Sequence, residues 1–181
     1  MARKKIDRDV EVIVISNMYS YYSFTNGRDI AFQLDGFESE DYLTYGELKA
    51  LSIGRSKKVL QNMGIIILDV LDQDITKEDV IQQLRLKDNY DKVLEIFELD
   101  SYDDIIPDVF VEFIKTSNSK EIKKVMSDAP FLKNVIEEIT IELYRKGQID
   151  SSIIATILQE HGIKENDIYQ FLEDIKNANE E

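Results

Sequence analysis

The chain has 181 residues, 22 Lys+Arg against 36 Asp+Glu, a formal charge of −14, one His, no Cys and no Trp. Without cysteine there is no disulfide framework and no thiolate metal site. The longest apolar runs, Val12–Ile15 and Ile65–Leu68, fall far short of the ~20 residues that span a bilayer. The start, Met-Ala-Arg-Lys-Lys-Ile-Asp-Arg, leads into no apolar stretch of the signal-peptide kind, so a soluble protein with no membrane contact is expected. With 43% apolar residues the chain can bury a core, and its length suits one domain or two small ones.

The charge is unevenly spread. Residues 1–70 hold nine Lys+Arg and ten Asp+Glu, net −1, while residues 71–181 hold 13 and 26, net −13. Five of the seven glycines lie in the first part. The shift predicts an α+β module over 1–70, antiparallel and β-rich with two short helices, followed by an acidic all-α domain over 71–181.

In chain order, Val10–Ile15 alternates as a strand whose second half is apolar on both sides. Tyr19–Phe24 and Asp29–Leu34 flank Asn26-Gly27, a pair that favours a type I′ hairpin turn because both central residues need positive φ. Glu38–Asp41 reads as an acidic loop. Thr44-x-x-Glu47 is a capping box, each side chain bonding the other's orphan backbone N–H, and predicts a helix over Tyr45–Leu51. Ser56–Met63 reads as a second short helix closed by Gly64, and Ile65–Val70 as a buried strand. From Leu71 the period becomes helical. Seven short helices are expected, beginning with one capped by Thr76-x-x-Asp79. Tyr90–Phe97, Ile105–Ile114 with Pro107 in its first turn, Lys120–Met126 and Phe131–Lys146 follow. Ile153–Glu160 and a last helix from Asn166/Asp167 complete the series. No period is strong enough for a solenoid.

Chemistry-bearing residues are sparse. His161, the one imidazole, would have to serve any Ser-His centre, but it sits beside a helix-ending glycine, where a cation is favourable. Asp69, Asp72, Asp74, Glu78 and Asp79 are dense enough for a loose divalent-cation contact. They lack the glycine of an EF-hand loop, and a solvated link into a helix N-terminus explains them as well. Asp103, Asp104 and Asp108 fit helix-start charges better than paired acid–base catalysts. No GxGxxG, GxxxxGK[ST] or GxSxG motif occurs. The expectation is therefore a chain with no catalytic residue, no cofactor and no metal.

The remaining features suit interaction. Arg3, Lys4, Lys5 and Arg8 form a basic N-terminal arm, fit for nucleic acid or an acidic protein surface or simply solubilising. Tyr19, Tyr21, Tyr22 and Phe24 crowd one strand, in which Tyr22 and Phe24 point one way and Tyr19 and Tyr21 the other. Such a strand is core on both faces, a protein interface or a stacking surface for nucleic-acid bases. Leu43–Ile67, with Arg55, Lys57 and Lys58 opening its second helix, has the outline of a helix-turn-helix, although a net charge of −14 opposes a polyanion. The acidic second part could imitate a phosphate array or steer a basic partner.

The segments MARKKIDRDVEVIVISN, TNGRDIAFQL, YLTYGELKAL, SKKVLQNMGIIILDVLD and the helix start ITKEDV resemble uncharacterised proteins of tailed bacteriophages of Gram-positive hosts. The resemblance covers the first ~85 residues. It implies a virion-associated or assembly protein of a head, neck or tail, located in the virion or host cytoplasm. Its expected partners are other virion proteins, with homo-oligomers open, and nucleic acid is not expected. The motifs carry no functional residue. Two other readings stay open: an intracellular acidic inhibitor of a host nucleic-acid enzyme, and a DNA-binding regulator using Arg55, Lys57 and Lys58.

Overall fold

The computed structural model describes residues 4–28, 30–160 and 162–178. Arg3 and His161 lie outside them. The fold is α+β. Two antiparallel sheets, one of three strands and one of two, occupy the N-terminal half, and helices follow.

The three-stranded sheet is ordered β4-β1-β5, with β1 Glu11–Ser16 in the centre, β4 Glu40–Thr44 on one side and β5 Ile65–Val70 on the other. Val12 and Val14 are fully buried, as are Ile65, Ile66 and Ile67, which explains the near-continuous apolar sequence of both strands. Helices α1 (Tyr45–Leu51), α2 (Lys57–Gln61) and α3 (Lys77–Gln83) lie against this sheet. Their Leu48, Leu51, Leu60, Val80 and Ile81 are fully buried. α3 in turn packs on α4 (Lys87–Phe97).

Local chemistry sets the element ends. Thr44 and Glu47 form the capping box of α1, and Thr76 and Asp79 that of α3. Gly64 is not itself the left-handed residue that ends α2. Met63 takes that conformation (φ 60°), and the amide N–H groups of Met63 and Gly64 donate to Leu60 and Val59 in a Schellman pattern. Gly64 sits in a crowded place, where a Cβ would meet Met18 Sδ at 2.8 Å and Val59 Cγ2 at 3.1 Å.

Outward donors on both edges of the sheet are taken. The backbone bonds Tyr45 N–H to Val10 O and Ser16 N–H to Ser39 O set the alternation that turns the Tyr42 and Thr44 amides outward on β4. These amides donate to the Asp41 and Glu47 carboxylates at 2.8 and 2.7 Å. On β5 the Ile67 amide donates to the buried Tyr90 hydroxyl at 2.9 Å, and the Val70 amide to Asp69 at 2.8 Å. An edge strand whose outward donors are taken offers no ladder to another chain.

Three expectations are corrected here. Glu38–Asp41 is not all loop, since Glu40 and Asp41 open β4, where their acidic side chains mask the strand pattern. β2 (Tyr22–Thr25) starts three residues later than Tyr19. The link to β3 (Ala31–Leu34) is longer than a two-residue type I′ turn. Gly27 has φ 74°, Asn26 is not left-handed, and Asn26 Oδ1 accepts from the Arg28 and Ile30 amides at 2.9 and 3.1 Å. The Asn side chain thus replaces backbone as the organiser of the turn.

The chain divides into two compact units, 1–109 and 110–181, a different boundary from residue 70. β5 cannot end a unit, because α3 covers it and Tyr90 of α4 holds its edge. α5 (Pro107–Thr116) has its proline in the first turn and crosses the boundary. In the second unit α6 (Ser119–Asp128), α7 (Lys133–Arg145) and α9 (Glu165–Ala178) pack on α8 (Ser151–Glu160). Ile154, Leu158, Ile168 and Leu172 form one of its buried clusters. α7 ends in a Schellman motif with Gly147 at φ 66°, as its Arg-Lys-Gly sequence predicts. The new boundary redistributes the charge. Residues 1–109 carry −9 and residues 110–181 carry −5, because segment 71–109 alone holds 12 acids and four bases.

Candidate functional site

The most distinctive surface is the hairpin β2–β3, a two-stranded sheet that among the described residues joins no third strand. Its register pairs Tyr22 with Leu34 and Phe24 with Phe32, so these four side chains share one face. The ring centroids of Phe24 and Phe32 are 5.5 Å apart and those of Tyr22 and Phe32 6.5 Å. Leu34 is buried, but Tyr22, Phe24 and Phe32 are only half-buried. Partial burial still pushes the Tyr22 hydroxyl above its ordinary pKa. The opposite face, Ser23, Thr25, Ala31 and Gln33, is exposed.

The other two aromatic candidates fall outside the strand. Tyr21 precedes it, 58% exposed, with its hydroxyl donating to Gln33 Oε1 at 2.7 Å. Tyr19 stacks flat on Phe37, ring centroids 4.3 Å apart. The four aromatics therefore occupy three environments rather than two faces of one strand.

The basic arm is laid along the module from residue 4 onward. Lys4 Nζ reaches the Asp74 carbonyl and Asp79 Oδ2, and the Lys4 carbonyl accepts from Gln83 Nε2 at 2.7 Å. Ile6 is buried, Lys5 is exposed, and the Arg8 carbonyl accepts from the Gly46 amide at 2.8 Å. The approach at Gly46 is tight, since a Cβ there would lie 3.1 Å from the Arg8 carbonyl. Arm and hairpin meet at an open cleft of about 450 Å³ lined by Asp7, Arg8, Asp9, Ile30, Thr44, Gly46 and Glu47.

Arg55, Lys57 and Lys58 are exposed beside Ile53, itself 68% exposed. α2 has five residues, an axial length of about 7.5 Å, little to lay along a major groove.

The carboxylate clusters serve the backbone. Asp72 Oδ1 accepts from the Asp74 and Ile75 amides. Asp79 is held below the usual carboxylate range, chiefly by the Thr76 amide and then by Lys4. Asp104 completes the capping box of Ser101, and Asp108 lies in the first turn of α5. Asp103 faces Lys77, a buried amine 2.7 Å from the Tyr102 carbonyl and 3.3 Å from Asp103 Oδ1, whose pKa burial pushes down. Among the described residues no group of three or more His, Asp or Glu is placed to hold a metal ion. None of their helices is long and apolar enough to cross a membrane.

Sequence reasoning missed Tyr42, 61% exposed on β4, and the role of Tyr90. Alternation around Leu43 was the available signal for the first. The second carries none, since its partner is a backbone amide 23 residues away. Comparison with known proteins finds no matching family model, no similar curated protein and no similar solved structure.

Proposed function

We propose that this chain is a non-enzymatic structural or adaptor protein of a tailed bacteriophage, associated with a head, neck or tail, and that it acts by docking on other virion proteins through the β2–β3 hairpin. The observation that carries the reading is the half-covered aromatic face of Tyr22, Phe24 and Phe32 on a ribbon that joins no larger sheet. An isolated two-stranded hairpin is marginal in water. Completing the burial of its aromatics against a partner stabilises both the ribbon and the complex. The phage context rests on the resemblance of the first ~85 residues.

Mass spectrometry of purified particles tests it. The chain is expected at fixed stoichiometry with capsid or tail proteins, and Phe24→Ala/Phe32→Ala is expected to lower its incorporation at least tenfold. Absence from particles sinks the reading. The 12 carboxylates of segment 71–109 favour a second reading, an intracellular inhibitor that presents an acidic surface to a host nucleic-acid enzyme. Salt-sensitive inhibition of a host nuclease or polymerase, by a chain missing from particles, would support that one instead.

A further inference from the structure

We infer that copies of this chain associate head to tail, the basic turn between α1 and α2 of one copy docking at the acidic cleft beside the start of α1 in the next. The turn centres on Ile53, 68% exposed. Segment 49–58 holds Lys49, Arg55, Lys57 and Lys58 and no acid, in a chain of net charge −14. All four cations are exposed. Among the described residues none of the four forms an ion pair, and Lys49 lies 5.6 Å from the centre of the Tyr45 ring. A large exposed apolar side chain followed within five residues by three exposed cations resembles a small docking knob, an apolar centre beside a charged rim.

The complementary surface is in the same chain. The cleft of about 450 Å³ has Asp7, Asp9 and Glu47 on its walls against one cation, Arg8. Glu47 spends one oxygen on the capping box, and Asp7 Oδ1 accepts from the Asp9 amide at 3.2 Å. The strand register puts this cleft at the Glu11/Thr44 end of the sheet. Leu71, 49% exposed, is at the same end, its amide bonded to the Glu11 carbonyl, and Asp72 and Asp74 follow it. Lys4 offsets only Asp79 there.

The two surfaces cannot meet within one copy. Asp7, Asp9 and Thr44 flank the start of α1, and Ile53, Arg55, Lys57 and Lys58 follow its end; this seven-residue helix, about 10 Å long, separates them. Two different patches on opposite ends of a rigid element make a heterologous contact, which closes into a ring or extends as a filament. Repulsion between chains of charge −14 is screened beyond about 10 Å at 0.1 M ionic strength, while contact pairs are screened less.

Sedimentation velocity between about 5 and 500 μM, at about 0.1 M ionic strength, is the test. The wild-type mass is expected to climb above the 21.0 kDa monomer with concentration. Lys57→Glu/Lys58→Glu and Asp7→Lys/Asp9→Lys are each expected to stay monomeric with unchanged far-UV CD. Their mixture pairs the intact cleft of one variant with the intact turn of the other, and the two reversed patches also complement each other, so its mass is expected to climb above the 21.0 kDa monomer where neither variant's does alone. Ile53→Asp repeats the loss through a different side chain. A wild type monomeric throughout overturns the proposal, as does association that both charge variants leave unchanged. Phe24→Ala/Phe32→Ala is expected to associate like wild type, which separates this contact from the hairpin's.

Discussion

The three-stranded sheet and the β2–β3 hairpin use the same antiparallel pairing and end in opposite conditions. In the sheet, the outward amides of Tyr42, Thr44, Ile67 and Val70 are taken by Asp41, Glu47, Tyr90 and Asp69, and three helices lie against it. In the hairpin, three aromatic side chains stay half-covered. A sheet with these four amides taken and Val12 and Val14 completely buried presents no cluster of half-covered aromatic side chains to a partner. The hairpin does, and what it offers is a face rather than an edge. The difference teaches where to look for function: side-chain burial against a partner, and not strand addition.

The comparison predicts a graded set of effects. The largest belongs to the sheet side. Leu48, fully buried on α1, is expected to cost about 2–5 kcal/mol when replaced by Ala, through lost transfer energy and the cavity left behind, read by urea unfolding. Next is Tyr90→Phe, which leaves the buried Ile67 amide unpaired and should cost about 1–3 kcal/mol. A loss near zero would show that the β5 edge is not held by this hydroxyl. Thr44→Ala removes the α1 cap at the end of β4 and is expected to cost about 1 kcal/mol in the same assay. Phe24→Ala should cost the isolated chain less than about 1 kcal/mol yet still weaken docking. A larger intrinsic loss would move the hairpin into the core and break the contrast.

The smallest effect is electrostatic. The folded Asp79 carboxyl titrates below the usual carboxylate range, mainly because the Thr76 amide bonds the ionised form. The folded state therefore binds fewer protons there than the unfolded state. Its contribution is present above the unfolded pKa and is lost as pH falls through the lowered folded pKa. Asp79→Asn should flatten this part of the acid limb of a CD-monitored stability curve, and an unchanged slope would count against it.

Much of the framework was legible in sequence because its causes are local. The capping boxes at Thr44/Glu47 and Thr76/Asp79, the glycine after α7 and the apolar run of β5 all act within a few residues. β4 escaped because one buried Leu between Asp-Tyr and Thr gives too little alternation, and Glu40 and Asp41 read as loop. The Asn-Gly signal located the hairpin but not its turn, because the Asn26 side chain bonds Arg28 and Ile30 and stretches the connection. At the candidate site, the aromatic cluster was visible as composition. Its division among a half-covered face, a Tyr19–Phe37 stack and an exposed Tyr21 was not, since Phe32, Gln33 and Phe37 come from the returning strand and the loop beyond it.

Charge marks the division most plainly. By itself the sequence determined the total of −14, the acid-free stretch at 49–58 and the helical period after Leu71, because charge and periodicity need no partner to be read. Only the tertiary structure decided that residues 71–109 belong with the sheet, that Lys4 is spent on Asp79, and that the cations near Ile53 form no ion pair among the described residues. Each of those depends on which distant groups the packing brings within hydrogen-bond reach, and chain order does not encode that distance.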